Sequence, residues 1–224
     1  MIKVCGMREA ENIRAVEALG VDLVGFIFYD KSSRYVGMLP SRAGNTPDYV
    51  APSLAAGASP GRVGVFVDDM AQNIITRVYT FDLDYVQLHG AETPLFIDNL
   101  RATIDPDIHP GIKIIKTLSI NSSKDFGRWR IYKNHVDMLL FDAKCATKGG
   151  SGEKFDWSLL DAYDGDIPFL LSGGIGPEDA AAVGAVSHPM FAGIDLNSRF
   201  ETAPALKDVG RLSKFINEIR NAKQ

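Results

Sequence analysis

Side chains that can move protons or bind anions stand in this chain where short apolar runs give way to loops. Cys5 closes the run Ile2–Cys5, His89 follows Tyr85–Leu88, Asp142 follows Met138–Phe141 and Asp195 follows Phe191–Ile194. Lys116 closes Ile112–Lys116, Arg34 lies in the loop after Leu23–Phe28, and Asp68 and Asp69 follow Val63–Val67. If these run ends share one face, a thiol, an imidazole, two cations and several carboxylates converge there. That is the gathering general acid–base chemistry needs. Cys5 by itself reads as a small buried hydrophobe or as a thiolate, its pKa lowered by a helix starting just after Gly6. A thiolate there serves as a nucleophile or as a base. Asp142, after four apolar residues, sits at a dry boundary suited to a proton donor, while a loop cap or a pair with Lys144 fits as well.

Two glycine-rich turns suit an anion. Ser172-Gly173-Gly174-Ile175-Gly176-Pro177-Glu178 follows the run Phe169–Leu171, with Pro177 placed for the first turn of a helix. Gly193-Ile194-Asp195-Leu196-Asn197-Ser198 follows the last run and opens a short helix toward the same place. Backbone N–H groups at such turns hold phosphates. A third segment, Lys148-Gly149-Gly150-Ser151-Gly152, fits a lid over a ligand or a plain surface loop.

The elements that must position these residues follow from periodicity. The eight apolar runs are nearly continuous rather than alternating, as in parallel strands buried on both faces. Arg8 to Leu19 puts Ile13, Val16 and Leu19 on one helical face, with Glu9 and Glu11 in its first turn. Ala205 to Arg220 does the same with Leu206, Val209, Leu212, Phe215, Ile216 and Ile219. Eight strands in 224 residues leave about 28 per unit, the size of one strand with its return helix. The expected architecture is a single-domain (β/α)₈ TIM barrel over residues 1–224, with a doubly wound open sheet as the rival. Ser41 to Gly61, with three prolines, is a weak second helix, and Arg101 to Gly111 reads as a loop before strand 5.

Composition removes other classes. The chain is 46% hydrophobic and 23% charged, which excludes disordered and fibrous proteins. Its net charge of −4 offers no general attraction to nucleic acid or anionic membrane. Two cysteines, Cys5 and Cys145, make no disulfide framework. His89, His109, His135 and His188 show no metal-ligand spacing, so no metal is expected. The longest apolar run, Leu23 to Tyr29, is far too short to span a bilayer. With Cys5 so near the start, no signal peptide is expected and the cytoplasm is the expected compartment.

Read in order, Lys3-Val4-Cys5-Gly6, Gly25-Phe26-Ile27-Phe28-Tyr29, Lys31-Ser32-Ser33-Arg34-Tyr35-Val36, Gly64-Val65-Phe66-Val67 and Val86-Gln87-Leu88-His89-Gly90 form one series. It continues through Phe141-Asp142-Ala143-Lys144, Gly149-Gly150-Ser151-Gly152, Leu171-Ser172-Gly173-Gly174 and Gly193-Ile194-Asp195-Leu196-Asn197-Ser198. Over essentially its whole length the chain resembles the phosphoribosylanthranilate isomerase family, a barrel of tryptophan biosynthesis. The resemblance implies an aldose–ketose isomerase acting by Amadori rearrangement without a cofactor. It implies Asp142 as general acid and Cys5 as general base, Arg34 on the anthranilate carboxylate, and His89 and Asp195 lining the substrate. Gly173, Gly174, Asn197 and Ser198 would hold the phosphate. The expected partner is a small phosphorylated aminosugar, with neither nucleic acid nor membrane, and the expected state is a monomer or weak homodimer.

Two departures concern the last loop. Arg199 stands where many members have glycine, and Ala203-Pro204-Ala205-Leu206-Lys207-Asp208 lacks the usual Pro-Gly before Lys-Asp. Rival functions want residues that are missing: an indole-forming synthase a longer N-terminal segment and another lysine pattern, a metal-dependent pentose-phosphate epimerase paired histidines. A non-catalytic barrel that senses a phosphorylated metabolite would have no need of both Cys5 and Asp142.

Overall fold

Strands covered on both sides need an apolar wall inside and another outside, and the chain supplies both. The computed structural model describes residues 1–37, 59–143 and 157–222. Eight parallel strands close in sequence order: β1 (Ile2–Cys5), β2 (Leu23–Ile27), β3 (Gly61–Phe66), β4 (Tyr85–Leu88), β5 (Lys113–Ile120), β6 (Met138–Ala143), β7 (Phe169–Ser172) and β8 (Phe191–Leu196). β8 pairs back onto β1, with Lys3 beside Asp195. The barrel excludes the open-sheet rival. Inside it Cys5, Leu23, Val63, Val65, Ile115, Met138, Leu140 and Leu170 pack together. Alternate residues, such as Val4, Val24, Phe66, Leu88, Phe141 and Leu196, face outward into a second core beneath the helices. This double wall is why the strands read as unbroken apolar runs.

The covering helices are α1 (Ala10–Glu17), α2 (Ala71–Phe81), α3 (Pro94–Ile104), α4 (Ala180–Gly184) and α5 (Val209–Ala222). Tighter 3₁₀ segments, Ser123–Tyr132 and Trp157–Ala162, take the helix positions after β5 and β6. α3 begins where Thr93 accepts the Phe96 N–H at 3.3 Å and Pro94 fills the first turn, and it buries Ile97, Leu100 and Ile104. It therefore absorbs Arg101 to Ile104, part of the stretch expected to be a loop; only the residues around Pro106 and Pro110 lie beyond it. The weak second helix falls almost wholly outside the described residues, as do Lys144, Cys145 and the Lys148–Gly152 segment.

Two further boundaries are corrected. β5 runs on to Ile120, so Lys116 lies mid-strand rather than at its end. The last helix starts at Val209 instead of Ala205, because Ala205 adopts φ +67° and Leu206–Lys207 pair as β10 with β9 (Glu201–Ala203). Leu206 is 40% exposed on that hairpin and belongs to no helix face.

At the amino-terminal end of the barrel an aspartate precedes each of three even strands and accepts a backbone N–H of the odd strand before it. Asp22 takes the Ile2 N–H at 2.6 Å, Asp84 that of Arg62 at 2.7 Å and Asp137 that of Ile114 at 2.8 Å. Asp137 also accepts from Arg101 at 2.8 Å. Burial works against its charge, but these hydrogen bonds and the nearby cations outweigh burial and hold the carboxyl below the usual range. Such a group stabilises the fold above its unfolded pKa, and the contribution is lost as pH falls through its folded value. Asp137→Asn should lower unfolding free energy by ~1–3 kcal/mol near neutrality, measured by urea denaturation. The gap from wild type should narrow as pH drops into the carboxylate range, and a gap independent of pH would contradict the assignment.

Candidate active site

The carboxyl ends of the strands carry the side chains with chemistry. Cys5, the last residue of β1, turns inward and is buried. Its thiol lies against Gly25 of β2, where a Cβ would fall 2.8 Å from Sγ. Below it on the same face Lys3 is fully buried and donates to Asp195 of β8 at 2.9 Å. Burial pushes the Cys5 thiol up, while Lys3 and Lys207 pull it back and Asp195 opposes them. Of the two readings of Cys5, these surroundings favour the buried thiol over a thiol with lowered pKa. α1 begins only at Ala10, so its positive end is not at the sulfur, and burial dominates. Burial also works against the Lys3 charge, but Asp195 and Cys5 outweigh it and hold the ammonium above its usual value.

Asp142 is the penultimate residue of β6 and follows the inward Leu140 by two positions, so it shares the inner face at the mouth. Its carboxylate lies 3.6 Å from His89 Nε2, and the two side chains are 21% and 35% exposed. His89 stands just past β4, its other nitrogen 3.4 Å from Gln87 Nε2. Gln87 is buried, donates to Thr117 Oγ1 at 3.1 Å and carries a buried Oε1 with no partner among the described residues. Cys5 and Asp142 thus open on the same barrel end from strands three steps apart on the ring, β1–β8–β7–β6.

Arg34 comes from the loop after β2, where Ser32 Oγ accepts the Arg34 N–H at 3.1 Å. Its Nε and Nη2 both meet Glu201, at 2.8 and 2.5 Å. Hydrogen bonding to Glu201 holds the guanidinium above even its usual high pKa. The glycine-rich turn after β7 has Gly173 and Gly174 at φ +102° and +73°, a shape that favours glycine. Gly174 is exposed, with open space where a side chain would be. The Gly176 N–H is already taken by Asp179 at 2.7 Å. Ser198 is exposed at the start of a 3₁₀ turn, Ser198–Phe200, after β8. The two loops are joined by Arg199, which donates to Glu178 at 2.5 Å. Asn197, just before Ser198, turns its Oδ1 to Lys207 at 2.8 Å.

Three sequence candidates have other work. Lys116 points outward from the barrel, buried, and donates to Glu92 at 3.0 Å and to the Leu88 and Gly90 carbonyls at 3.1 and 2.7 Å. It staples the loop that carries His89 and supplies no cation to the mouth. Asp68 accepts the Ala91 N–H at 2.6 Å in the same staple, and Asp69 accepts from Met70 and Asn73, each at 2.8 Å, at the start of α2. Sequence reasoning passed over Lys3, Gln87, Glu92, Glu201 and Lys207. The signal for the first two was a polar residue at inward parity inside an apolar run. Among the described residues, no three His, Cys, Asp or Glu side chains cluster as metal ligands, and no helix is long and apolar enough to cross a membrane.

Comparison with known proteins gives a consistent likeness. The model of the N-(5'phosphoribosyl)anthranilate (PRA) isomerase family matches residues 2–218. The chain is 45% identical to N-(5'-phosphoribosyl)anthranilate isomerase of Parabacteroides distasonis over 219 residues, covering 98% of this chain and 93% of the relative. It is 43% identical to that of Phocaeicola vulgatus over 220 residues, 98% of each. Among solved structures, phosphoribosyl anthranilate isomerase from Thermotoga maritima superposes with a TM-score of 0.74 at 30% identity, over 98% of both chains. A phosphoribosyl anthranilate isomerase in complex with reduced 1-(o-carboxyphenylamino)-1-deoxyribulose 5-phosphate superposes equally well, with a TM-score of 0.74 at 27% identity and the same 98% coverage of both chains.

Proposed function

Because this chain belongs to the N-(5'-phosphoribosyl)anthranilate isomerase family, we propose that it converts N-(5-phosphoribosyl)anthranilate to 1-(2-carboxyphenylamino)-1-deoxyribulose 5-phosphate. The observation that carries the mechanism is that Cys5 and Asp142 reach one barrel mouth from non-adjacent strands. An acid and a base can then flank a sugar bound between them.

Asp142 gives its proton to the furanose oxygen as the C1–O bond breaks, and the nitrogen lone pair forms the C1=N bond of a Schiff base. The Cys5 thiolate then takes the proton from C2. The C2–H electrons become a C1=C2 double bond, and the C=N electrons return to nitrogen. Loss of the enol proton and protonation of C1 give the aminoketose. No electrons leave the substrate, so no redox cofactor is called for. Arg34 receives the anthranilate carboxylate, a planar two-donor match, and His89 lies along the bound substrate. Asp195 acts from beneath, holding Lys3 beside Cys5. The phosphate lies between the turns after β7 and β8, on Gly173, Gly174, Asn197 and Ser198, the usual anion position of barrels. Here the Asn197 contribution is its backbone, since its side-chain oxygen is engaged by Lys207.

The test is the fluorescence of freshly generated phosphoribosylanthranilate on adding the protein with excess chelator. Rapid loss of signal that is absent with Cys5→Ala is the expected result. Decay no faster than the spontaneous reaction, from folded protein, would overturn the reading.

A further inference from the structure

The Arg34 guanidinium reaches the mouth with one of its two forked edges already filled. Nε lies 2.8 and 3.0 Å from the two Glu201 oxygens and Nη2 lies 2.5 Å from Oε2. The other edge, Nη1 with the second Nη2 hydrogen, meets no carboxylate among the described residues. Glu201 is itself held: Lys207 Nζ donates to its Oε1 at 2.6 Å and the Ala205 N–H approaches the same oxygen at 3.3 Å. The Lys207 side chain is fully buried, donates also to Asn197 at 2.8 Å, and is fixed at its backbone by Asn12 of α1. Burial works against the Glu201 charge, but Arg34 and Lys207 outweigh it and keep the carboxyl below the usual range.

We propose that Glu201 and Lys207 are positioning residues for the substrate carboxylate: they lock Arg34 side-on, so that its free edge faces the ligand. The inference rests on the isomerase reading above and extends it to residues outside the catalytic pair. Charge agrees with it. Arg34 and Lys207 carry two positive charges against one on Glu201, and the Lys3–Asp195 pair beneath is neutral. While Cys5 is a thiol, one positive charge is left for one ligand carboxylate. Steric fit agrees as well: a Cβ on Gly6 would fall 2.6 Å from Arg34 Cδ and 2.7 Å from Asn197 Oδ1. The backbone after Cys5 is thus packed against the same network. Stability alone is a poor reason for it, since a buried ion pair is often no better than apolar packing.

The experiment is steady-state kinetics of Glu201→Gln on two substrates, phosphoribosylanthranilate and its carboxylate-free analogue N-(5-phosphoribosyl)aniline. The natural substrate should lose ~10- to 100-fold in kcat/KM, mostly through KM, as for a charge-assisted hydrogen bond. The aniline analogue should lose much less, so that the two losses differ by ~10-fold or more. Equal losses on both substrates, or none, would overturn the proposal while leaving the isomerase assignment standing. A wild-type protein inert toward both would instead remove the assignment itself. If Glu201→Gln does not fold, NMR of ¹⁵N-arginine-labelled wild type decides. The Arg34 Nε–H should stay protected and unmoved when the reduced product analogue binds, while its Nη protons become visible. A ligand that displaces Glu201 from Nε would overturn the lock.

Discussion

Asp142→Asn should lower kcat by ~10²–10⁴-fold, the usual contribution of one general acid, while binding of a reduced product analogue changes little. Asparagine keeps the shape and polarity of the side chain at the end of β6 but has no carboxylic proton to give the ring oxygen. The first step then waits for water to protonate the leaving group. Asp142 is only partly buried and faces His89 across 3.6 Å, so removing its charge strands no buried cation and the fold should hold. Rate and affinity therefore separate cleanly. Steady-state kinetics with a fluorescence titration of the analogue measures both, and a kcat close to wild type would remove Asp142 from the mechanism.

Loss of the base should cost as much and leave a different trace. Cys5→Ala removes the group that takes the C2 proton, again ~10²–10⁴-fold. In the wild type, burial pushes the thiol up against the pull of Lys3 and Lys207. A base with a raised pKa is less ionised at a given pH, so kcat/KM should climb with pH as the thiolate forms. Cys5→Ala should erase that rising limb as well as the rate. A limb that persists at the same position in the variant would assign it to another group.

The fold was legible in the sequence where both walls of a strand are apolar. Ile2–Cys5 and Tyr85–Leu88 match their strands end to end. β5 read short because Thr117 and Ser119 face inward, and polar residues after Lys116 look like a loop. The returning arm of the hairpin, from Ala205 to Lys207, read as helix because Leu206 continues the helical spacing of Val209 and Leu212. No local pattern announces that Lys207 is drawn into a buried ion pair instead. At the site, Cys5, Asp142, Arg34 and His89 were visible because reactive types at strand ends stand out even without a partner. Lys3, Glu92, Glu201 and Lys207 were not, since a charge reads as solvated until its counter-charge is placed. Lys3 finds Asp195 across 192 positions and Arg34 finds Glu201 across 167.

The aspartates that accept strand N–H groups at the base of the barrel stitch β1 to β2, β3 to β4 and β5 to β6. The junction of β8 with β1 is built differently. Gly193, in β8, sits at φ +157°, and the backbone of Met1 fills the space its side chain would need. The Met1 nitrogen donates to Ala192 O at 2.6 Å, and its carbonyl takes the Ile194 N–H at 3.1 Å. The ring has a seam there, and the backbone of Met1 is its fastener. Gly193→Ala, whose added Cβ would meet the Met1 backbone, should therefore loosen the barrel at β8 while the three stitched pairs stay closed, as read by amide exchange.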